Sequence, residues 1–204
     1  MINTPTDDFA LFMIIAGPAG SGKTTLCERL IQEYSSIERV VTCTTRPPRP
    51  GEVDGEDYHF FSNEAFDQKI ADNAFLEWAK VHENRYGNLK STVQEKLEAN
   101  INLVMNIDVQ GVRNYKKAAQ GNELIQQRLV TVFVTPPSFD NLRQRLRLRG
   151  DEDADIDRRM KTAEAEVEHW DEFDYAFVSE SKDQDFEVIK SILLAEKRKV
   201  RRMG

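Results

Sequence analysis

Hydrophobic and polar positions follow two different rhythms along this chain. Short apolar runs of strand length alternate with longer segments in which apolar residues return every three or four positions, the spacing of an amphipathic helix. The apolar runs predict strands at residues 11–16, 39–44, 102–107, 129–134 and 175–178. The helical spacing predicts helices at residues 23–34, 91–99, 138–149, 156–169 and 185–201. This alternation predicts an α/β fold, with a mainly parallel five-stranded sheet flanked by helices.

Two segments depart from this rhythm. Residues 46–88 are rich in proline, glycine, charge and aromatic side chains, and contain a predicted short helix at 64–71 and a predicted strand at 75–81. We interpret them as a small insertion domain within a core made of residues 9–45 and 89–204. The acidic segment GDEDADID, at 150–157, lies between two arginine-bearing helices and is interpreted as a mobile lid. The 204 residues fit one domain with these additions.

Composition narrows the function classes. The chain is 40% hydrophobic and 31% charged, as in globular domains, and no apolar run approaches the ~20 residues of a membrane-spanning helix. A net charge of −7 argues against general nucleic-acid binding. The first eight residues, MINTPTDD, lack the basic start of a secretory signal, so we expect a cytoplasmic protein. Cys27 and Cys43 have no metal-ligand spacing and are expected to be reduced and buried.

A phosphate-binding motif follows the first predicted strand. The sequence GPAGSGKT at residues 17–24 fits GxxxxGK[ST] and leads directly into a predicted helix, which is the context of a P-loop. Its backbone N–H groups turn towards a nucleotide phosphate, Lys23 bridges the β- and γ-phosphates, and the Thr24 hydroxyl is offered to Mg²⁺. The predicted ATP-binding residues are Gly17, Pro18, Ala19, Gly20, Ser21, Gly22, Lys23 and Thr24. ATPases, GTPases, helicases and small-molecule kinases share this loop, so it does not identify the reaction. The group that accepts the phosphate must be inferred from other parts of the sequence.

A second candidate phosphate site follows the second predicted strand. Arg46 and Arg49 lie three residues apart in a loop stiffened by three prolines, and Tyr58 follows nine residues later. Two planar guanidinium groups beside a phenol can hold a phosphate dianion. The alternative is a surface loop whose arginines pair with the many nearby acids.

Motifs over nearly the whole chain resemble the guanylate kinase family. They are GPAGSGKTT, TCTTRPPRPGEVDGEDYHF, FLEWAKV, RYG, NIDVQGV, TPPS with RLRLRG, and DYAFV. TTRPPRPGE and DVQG are far more specific than the P-loop. The resemblance implies a P-loop kinase with a GMP-binding insertion domain and a closing lid. It implies transfer of the γ-phosphoryl group of ATP to GMP, giving ADP and GDP in purine nucleotide metabolism, with Mg²⁺ as cofactor.

The resemblance also implies roles for individual residues. The implied GMP-binding residues are Thr42, Arg46, Arg49, Tyr58, Glu77, Tyr86, Asn88 and Asp108. The implied catalytic residues, which close on the triphosphate, are Lys23, Arg145, Arg149 and Arg159. The chemistry of Glu77 agrees, because a carboxylate accepts hydrogen bonds and guanine presents two adjacent donors. The alternative for Glu77 is an exposed strand residue beside Trp78.

Two residues depart from the family pattern. Asn106 stands where the family commonly has a carboxylate, which weakens a water-mediated hold on Mg²⁺. Asn88 stands where a small hydroxyl residue commonly follows Tyr-Gly, which alters one contact to the base. The basic residues 197–202 are interpreted as the last turn of a helix rather than a nucleic-acid or membrane tail.

Two other functions stay open at this point. A guanylate-kinase-like interaction module of a scaffold protein binds phosphorylated partners without catalysis, but it usually lacks a complete P-loop, which this chain has. A kinase for another nucleoside monophosphate requires a remodelled pocket around Glu77. We expect ATP and GMP as small-molecule partners, with no nucleic acid and no membrane. The sequence does not distinguish a monomer from a homodimer.

Overall fold

The structure, a computed structural model, describes residues 9–81 and 83–202. Residues 1–8, on which the interpretation about secretion depends, lie outside this range. The strands within it are β1 (Phe12–Ala16), β2 (Ile37–Arg39), β3 (Thr42–Thr44), β4 (Tyr58–Phe60), β5 (Phe75–Val81), β6 (Asn84–Leu89), β7 (Asn102–Asn106), β8 (Leu129–Thr135) and β9 (Tyr175–Val178). The helices are α1 (Lys23–Glu33), α2 (Asn63–Ala71), α3 (Lys90–Glu98), α4 (Val109–Ala119), α5 (Glu123–Arg128), α6 (Phe139–Leu148), α7 (Asp153–Val167) and α8 (Lys182–Glu196).

The main sheet is parallel, with strand order β2-β7-β1-β8-β9. Strand β1 lies at its centre and is buried throughout. Because successive side chains point to opposite faces, Met13 and Ile15 join the core beneath α1 and α8, whereas Phe12 and Ile14 join the core beneath α3, α4 and α5. The prediction of an α/β fold with a five-stranded parallel sheet is confirmed. Among the described residues, no helix is both long and apolar enough to cross a membrane.

The strand predicted at residues 39–44 is wrong, because this segment crosses between two sheets. Its first residue ends β2 in the main sheet, and its last three form β3 in a second sheet. Val40 packs in the core of the main sheet, and Cys43 packs with Phe66 and Phe75 in the core of the second. An unbroken apolar run therefore serves two separate cores, which sequence periodicity alone does not distinguish.

The second sheet has strand order β4-β3-β6-β5 and carries helix α2. The Phe66 ring of α2 stacks on the Phe75 ring of β5 with a centroid distance of 4.4 Å. The predicted strand at 75–81 is confirmed, and the predicted helix at 64–71 begins one residue earlier. Strands β4 and β6 are absent from the sequence-based prediction, because they are half-exposed and carry polar residues. Cys27 and Cys43 are both free and buried, as expected.

The acidic segment at 150–157 is mostly helical rather than a loop. Helix α7 begins at Asp153, so the predicted start at residue 156 is wrong by three residues. Asp153 and Asp155 lie in the first helical turn, where carboxylates are favoured by the positive end of the helix dipole. Only residues 149–152 connect α6 to α7. The lid function of this segment stays a prediction.

The two remaining differences lie in helices. Helices α4 and α5 are absent from the sequence-based prediction, although the buried Val109, Val112 and Tyr115 of α4 follow helical spacing. Helix α8 ends at Glu196 rather than near residue 201. Beyond it the basic segment turns back, and Arg202 Nε donates a hydrogen bond of 2.6 Å to the buried Glu196. The last of these cations is therefore buried in an ion pair and does not belong to an exposed helix end.

Candidate active site

The glycine-rich loop lies between the end of β1 at Ala16 and the start of α1 at Lys23. Gly17 has a φ of 137°, a value that side-chain-bearing residues rarely adopt. A Cβ atom on Gly17 would lie 2.2 Å from the backbone oxygen of Val134 in β8. Because the loop passes this close to the backbone of β8, its first position requires glycine.

Lys23 crosses this loop from its far end. Its Nζ donates hydrogen bonds to the backbone oxygens of Gly17 (2.6 Å) and Pro18 (2.8 Å). Burial lowers the pKa of the Lys23 ammonium, while the negative charge of Glu166 acts in the opposite direction. The ammonium is therefore held over the loop by two carbonyl groups that a phosphate can replace.

A cavity of about 820 Å³ opens beside the loop. Arg145 from α6 and Arg149 at its end line this cavity together with Lys23. Arg159 lies on α7, where its Nη1 is 3.6 Å from Asp151 Oδ2, and it is not among the described residues that line the cavity. The structure thus brings two of the three predicted arginines to the glycine-rich loop.

Two neutral oxygen donors face the same cavity. Thr24, at the start of α1, and Asn106, at the end of β7, both line it. The described residues contain no cluster of three or more His, Cys, Asp or Glu side chains that could hold a metal ion. A hydroxyl and a carboxamide oxygen fit Mg²⁺, because this ion prefers oxygen ligands and takes most of them from water and phosphate.

The second candidate phosphate site is occupied by an internal ion pair. Arg46 Nη2 donates to both carboxylate oxygens of Glu52, at 2.7 and 2.9 Å, and the Arg49 backbone N–H donates to the same carboxylate. The hydrogen bond from Arg46 lowers the pKa of Glu52, so this carboxylate stays charged. The Arg46 guanidinium also lies 5.3 Å from the ring centroid of Tyr58, and the Tyr58 and Tyr86 rings are 6.3 Å apart. The structure therefore brings Arg46, Tyr58 and Tyr86 together and also shows the carboxylate pairing of the surface-loop alternative. Arg49 is exposed, and its contact with Glu52 is made by the backbone N–H rather than by the guanidinium.

Glu77 faces inward from β5 towards α4. Asn114 Nδ2 lies 3.3 Å from Glu77 Oε1 and donates to it. Burial raises the pKa of Glu77, the Asn114 hydrogen bond acts to lower it, and the charge of Asp108 raises it further. Asp108 caps α4 and accepts a hydrogen bond from the Gly111 backbone N–H. Glu77 is half-buried whereas Trp78 is exposed, so the exposed-strand alternative for Glu77 is wrong.

Asn88 is buried beneath this site rather than open to it, with 2% of its surface exposed. The Tyr115 hydroxyl donates to Asn88 Oδ1 at 2.6 Å, and Asn88 Nδ2 donates to Thr42 Oγ1 at 3.2 Å. Both ends of the Asn88 carboxamide are thus paired within the protein. Asn88, which departs from the family pattern, therefore links β6 to Tyr115 of α4 and to Thr42. A contact between Asn88 and a base stays a prediction.

Glu166 is a further charged group of this region that motif reasoning does not single out. Burial raises its pKa to about 7, the charge of Lys23 lowers it, and the charge of Asp108 raises it. It lies on α7 three residues after the buried Ala163, so it follows the helical spacing of the inner face. The sequence signal that could have identified Glu166 is a carboxylate at a position where the helical spacing of α7 predicts a buried apolar residue.

Comparisons with known proteins agree with this geometry. A sequence model described as guanylate kinase matches residues 11–196. The guanylate kinase of Zymomonas mobilis is 40% identical over 193 residues, which are 94% of this chain and 87% of that protein. The guanylate kinase of Clostridium perfringens is 38% identical over 198 residues, 97% of this chain and 88% of that one. The crystal structure of guanylate kinase from Anaplasma phagocytophilum matches with a TM-score of 0.71 and 26% identity, over 96% of this chain and 90% of that one. The resemblance carried by the motifs is confirmed, and the chain belongs to the guanylate kinase family of enzymes.

Proposed function

We propose that this enzyme transfers the γ-phosphoryl group of ATP to GMP, giving ADP and GDP, in the purine nucleotide metabolism of the cytoplasm. One observation carries the proposal. Asn106 lines the cavity beside the glycine-rich loop, Asp108 two residues later caps α4, and Asn114 of the same helix donates to Glu77 in the second sheet. The end of β7 and helix α4 therefore connect the loop cavity to the candidate base pocket, and direct transfer between two nucleotides requires two such adjoining sites.

The glycine-rich loop forms the proposed ATP site. Lys23 exchanges the carbonyl oxygens of Gly17 and Pro18 for phosphate oxygens, so its burial is compensated by the triphosphate. Arg145 and Arg149, which line the same cavity, add positive charge. Phosphoryl transfer depends on positioning and charge neutralisation more than on covalent chemistry from the protein, so these groups are chemically sufficient.

Arg159 joins this set only in a closed state, when α7 moves towards the phosphates. Its present neighbour Asp151 competes with phosphate for the guanidinium. We propose closure of the segment at 150–157 and of the second sheet over both nucleotides, because an ATP site open to water favours hydrolysis.

Thr24 and Asn106 are the residues that would hold Mg²⁺ together with the nucleotide phosphates. When bound, the ion neutralises charge that develops on the transferring phosphoryl group. Because Asn106 is uncharged, the protein supplies less negative charge here than the carboxylate expected from the family pattern would.

The Arg46 cluster forms the proposed site for the GMP phosphate, with Arg49, Tyr58 and Tyr86 as further ligands and Thr42 at its edge. A phosphate dianion replaces Glu52 as the partner of Arg46. Because Arg46 keeps a negatively charged partner throughout this exchange, the cost of burying an unpaired guanidinium is largely avoided.

Glu77 is the proposed reader of the base. Its carboxylate accepts from two adjacent donors of guanine, which adenine lacks. Asn114 orients the Glu77 side chain from α4, and Asp108, which caps the same helix, is the second proposed ligand of the base.

An assay of ATP consumption against GMP, AMP, CMP and UMP tests the proposal. We expect kcat/KM for GMP to exceed that for AMP by on the order of 10⁴, because adenine leaves the buried Glu77 acceptor unpaired. Comparable activity with another monophosphate would support the kinase alternative with a remodelled pocket. Binding of GMP without any turnover would support the interaction-module alternative.

A further inference from the structure

A buried hydrogen-bond chain joins Arg145 to the first turns of α8. Arg145 Nη1 donates to Ser179 Oγ at 3.1 Å, and Ser179 Oγ donates to Asp185 Oδ2 at 2.7 Å. The Glu180 backbone N–H donates to the other oxygen, Asp185 Oδ1, at 2.8 Å. Ser179 is 1% exposed and Asp185 is 6% exposed. The guanidinium is thus connected through one hydroxyl to a buried carboxylate.

The direction of this chain follows from the donor and acceptor inventory of its members. A guanidinium only donates and an ionised carboxylate only accepts, so neither end of the chain can reverse. The hydroxyl between them accepts from Arg145 and donates its single proton to Asp185. Asp185 lies near the N-terminus of α8, which Ser181 caps, so the helix dipole favours its negative charge.

The chain fixes a side chain that is otherwise free to adopt many rotamers. Arginine loses side-chain entropy when it is immobilised, and an internal partner that holds it before substrate arrives removes that cost from the reaction. The bond to Ser179 uses an Nη1 proton, and the guanidinium has further N–H groups for phosphate oxygens. Arg145, Ser179 and Asp185 all line the cavity that also contains Lys23 and Thr24.

We infer that Ser179 and Asp185 are positioning residues that hold Arg145 over the transferring phosphate. This inference rests on the proposed function. Neither residue needs to contact the reacting atoms, since both act through the Arg145 guanidinium. The consequence is an effect on kcat that depends on the presence of Arg145.

The first measurement compares three substitutions of Ser179. Ser179→Ala removes the hydroxyl, and we expect kcat to fall about 10-fold because a hydrogen bond to a charged group is lost. Ser179→Cys keeps the approximate size but supplies only a weak donor and acceptor, so a similar fall is expected. Ser179→Thr restores the hydroxyl and is expected to recover most of kcat. The KM for GMP stays near the parental value in all three, because the Arg46 cluster lies in the other sheet.

The decisive measurement is a double-mutant cycle with Arg145→Ala. If Ser179 acts through Arg145, then adding Ser179→Ala to Arg145→Ala changes kcat by less than about 2-fold. Losses that multiply in the double variant, or failure of Ser179→Thr to recover kcat, would overturn the inference. The matched control is Ser191→Ala, which removes an exposed hydroxyl from α8 and is expected to keep parental kcat.

The result also separates this inference from the proposed function. A parental enzyme that does not phosphorylate GMP contradicts the proposed function. An active parental enzyme with an additive cycle contradicts only the positioning role. Asp185→Asn provides a second arm, since it keeps the shape of the carboxylate but removes its charge. We expect it to lower kcat in the parent but not in the Arg145→Ala background, and an equal loss in both backgrounds would also overturn the inference.

Discussion

The two sheets of this molecule build binding sites in different ways. In the main sheet, β1 is buried throughout, and the loop that follows presents backbone groups and one lysine from consecutive residues. In the second sheet, β4 and most of β6 are only half-buried, and the candidate site is made of side chains collected from distant segments. A site made of backbone depends on local conformation, whereas a site made of side chains depends on how whole elements pack.

The two sites share one electrostatic feature. Lys23 is held by two carbonyl oxygens, and Arg46 is held by the Glu52 carboxylate. Each cation proposed to bind phosphate therefore already has an internal partner. Binding at either site is an exchange of partners, and the exchange at Arg46 replaces a full negative charge whereas that at Lys23 replaces only dipoles. We therefore expect a larger electrostatic gain from Lys23.

The largest expected effect tests the loop of the main sheet. Lys23→Ala should lower kcat by about 10² to 10³-fold, because the ammonium stabilises charge on the transferring phosphoryl group. The affinity for GMP should change only a few-fold, since the acceptor site belongs to the second sheet. Steady-state kinetics with GMP and calorimetric binding of GMP measure the two quantities. Lys190→Ala, on the surface of α8, is the control, and kcat in the Lys23 variant equal to that control would contradict the role of the loop.

An effect of comparable size, on kcat/KM and on the choice of base, tests the second sheet. Glu77→Gln replaces one acceptor by an NH₂ group that faces a donor of guanine, so kcat/KM for GMP should fall about 30-fold to several thousand-fold. Activity with AMP should fall much less, because adenine does not use the paired acceptors. The measurement is the ratio of kcat/KM for GMP and AMP in the variant and the parent. Glu98→Gln, an exposed carboxylate on α3, is the control, and an unchanged ratio would show that Glu77 does not read the base.

The smallest effect tests the region between the two sites. Burial raises the pKa of Glu166 from 4.5 to about 7, so the folded protein keeps this proton while the unfolded chain releases it. Between these pH values the unfolded state binds fewer protons, and the free energy of unfolding therefore falls as pH rises. In Glu166→Gln this fall should be smaller by roughly 1 to 3 kcal/mol.

Urea unfolding from pH 4.5 to 8 measures the difference between the parent and Glu166→Gln. Glu164→Gln lies two residues away on the exposed face of α7 and should follow the parental curve. Parallel curves for the parent and Glu166→Gln would show that burial does not raise the pKa of Glu166 and would contradict the prediction.

Sequence periodicity performs well in the main sheet and poorly in the second. It predicts β1 to within one residue and β9 without error, because buried parallel strands are continuous apolar runs. It misses β4 and β6, whose residues are polar and half-exposed, and it merges β2 with β3 because Val40 and Cys43 are both apolar. It also takes the first turn of α7 for a loop, because carboxylates that stabilise a helix N-terminus resemble a solvated acidic segment.

Sequence alone is enough to read the α/β order of elements, the glycine-rich loop and the family motifs, because each depends on residues adjacent in the chain. The positive φ of Gly17 and the contact of Lys23 with that loop involve residues at most six positions apart. Which side chains meet across elements depends instead on how the helices and strands pack. The bond between Tyr115 and Asn88 spans 27 positions, and that between Arg145 and Ser179 spans 34. Such pairs form because packed helices and strands bring them together, and no local pattern encodes that geometry.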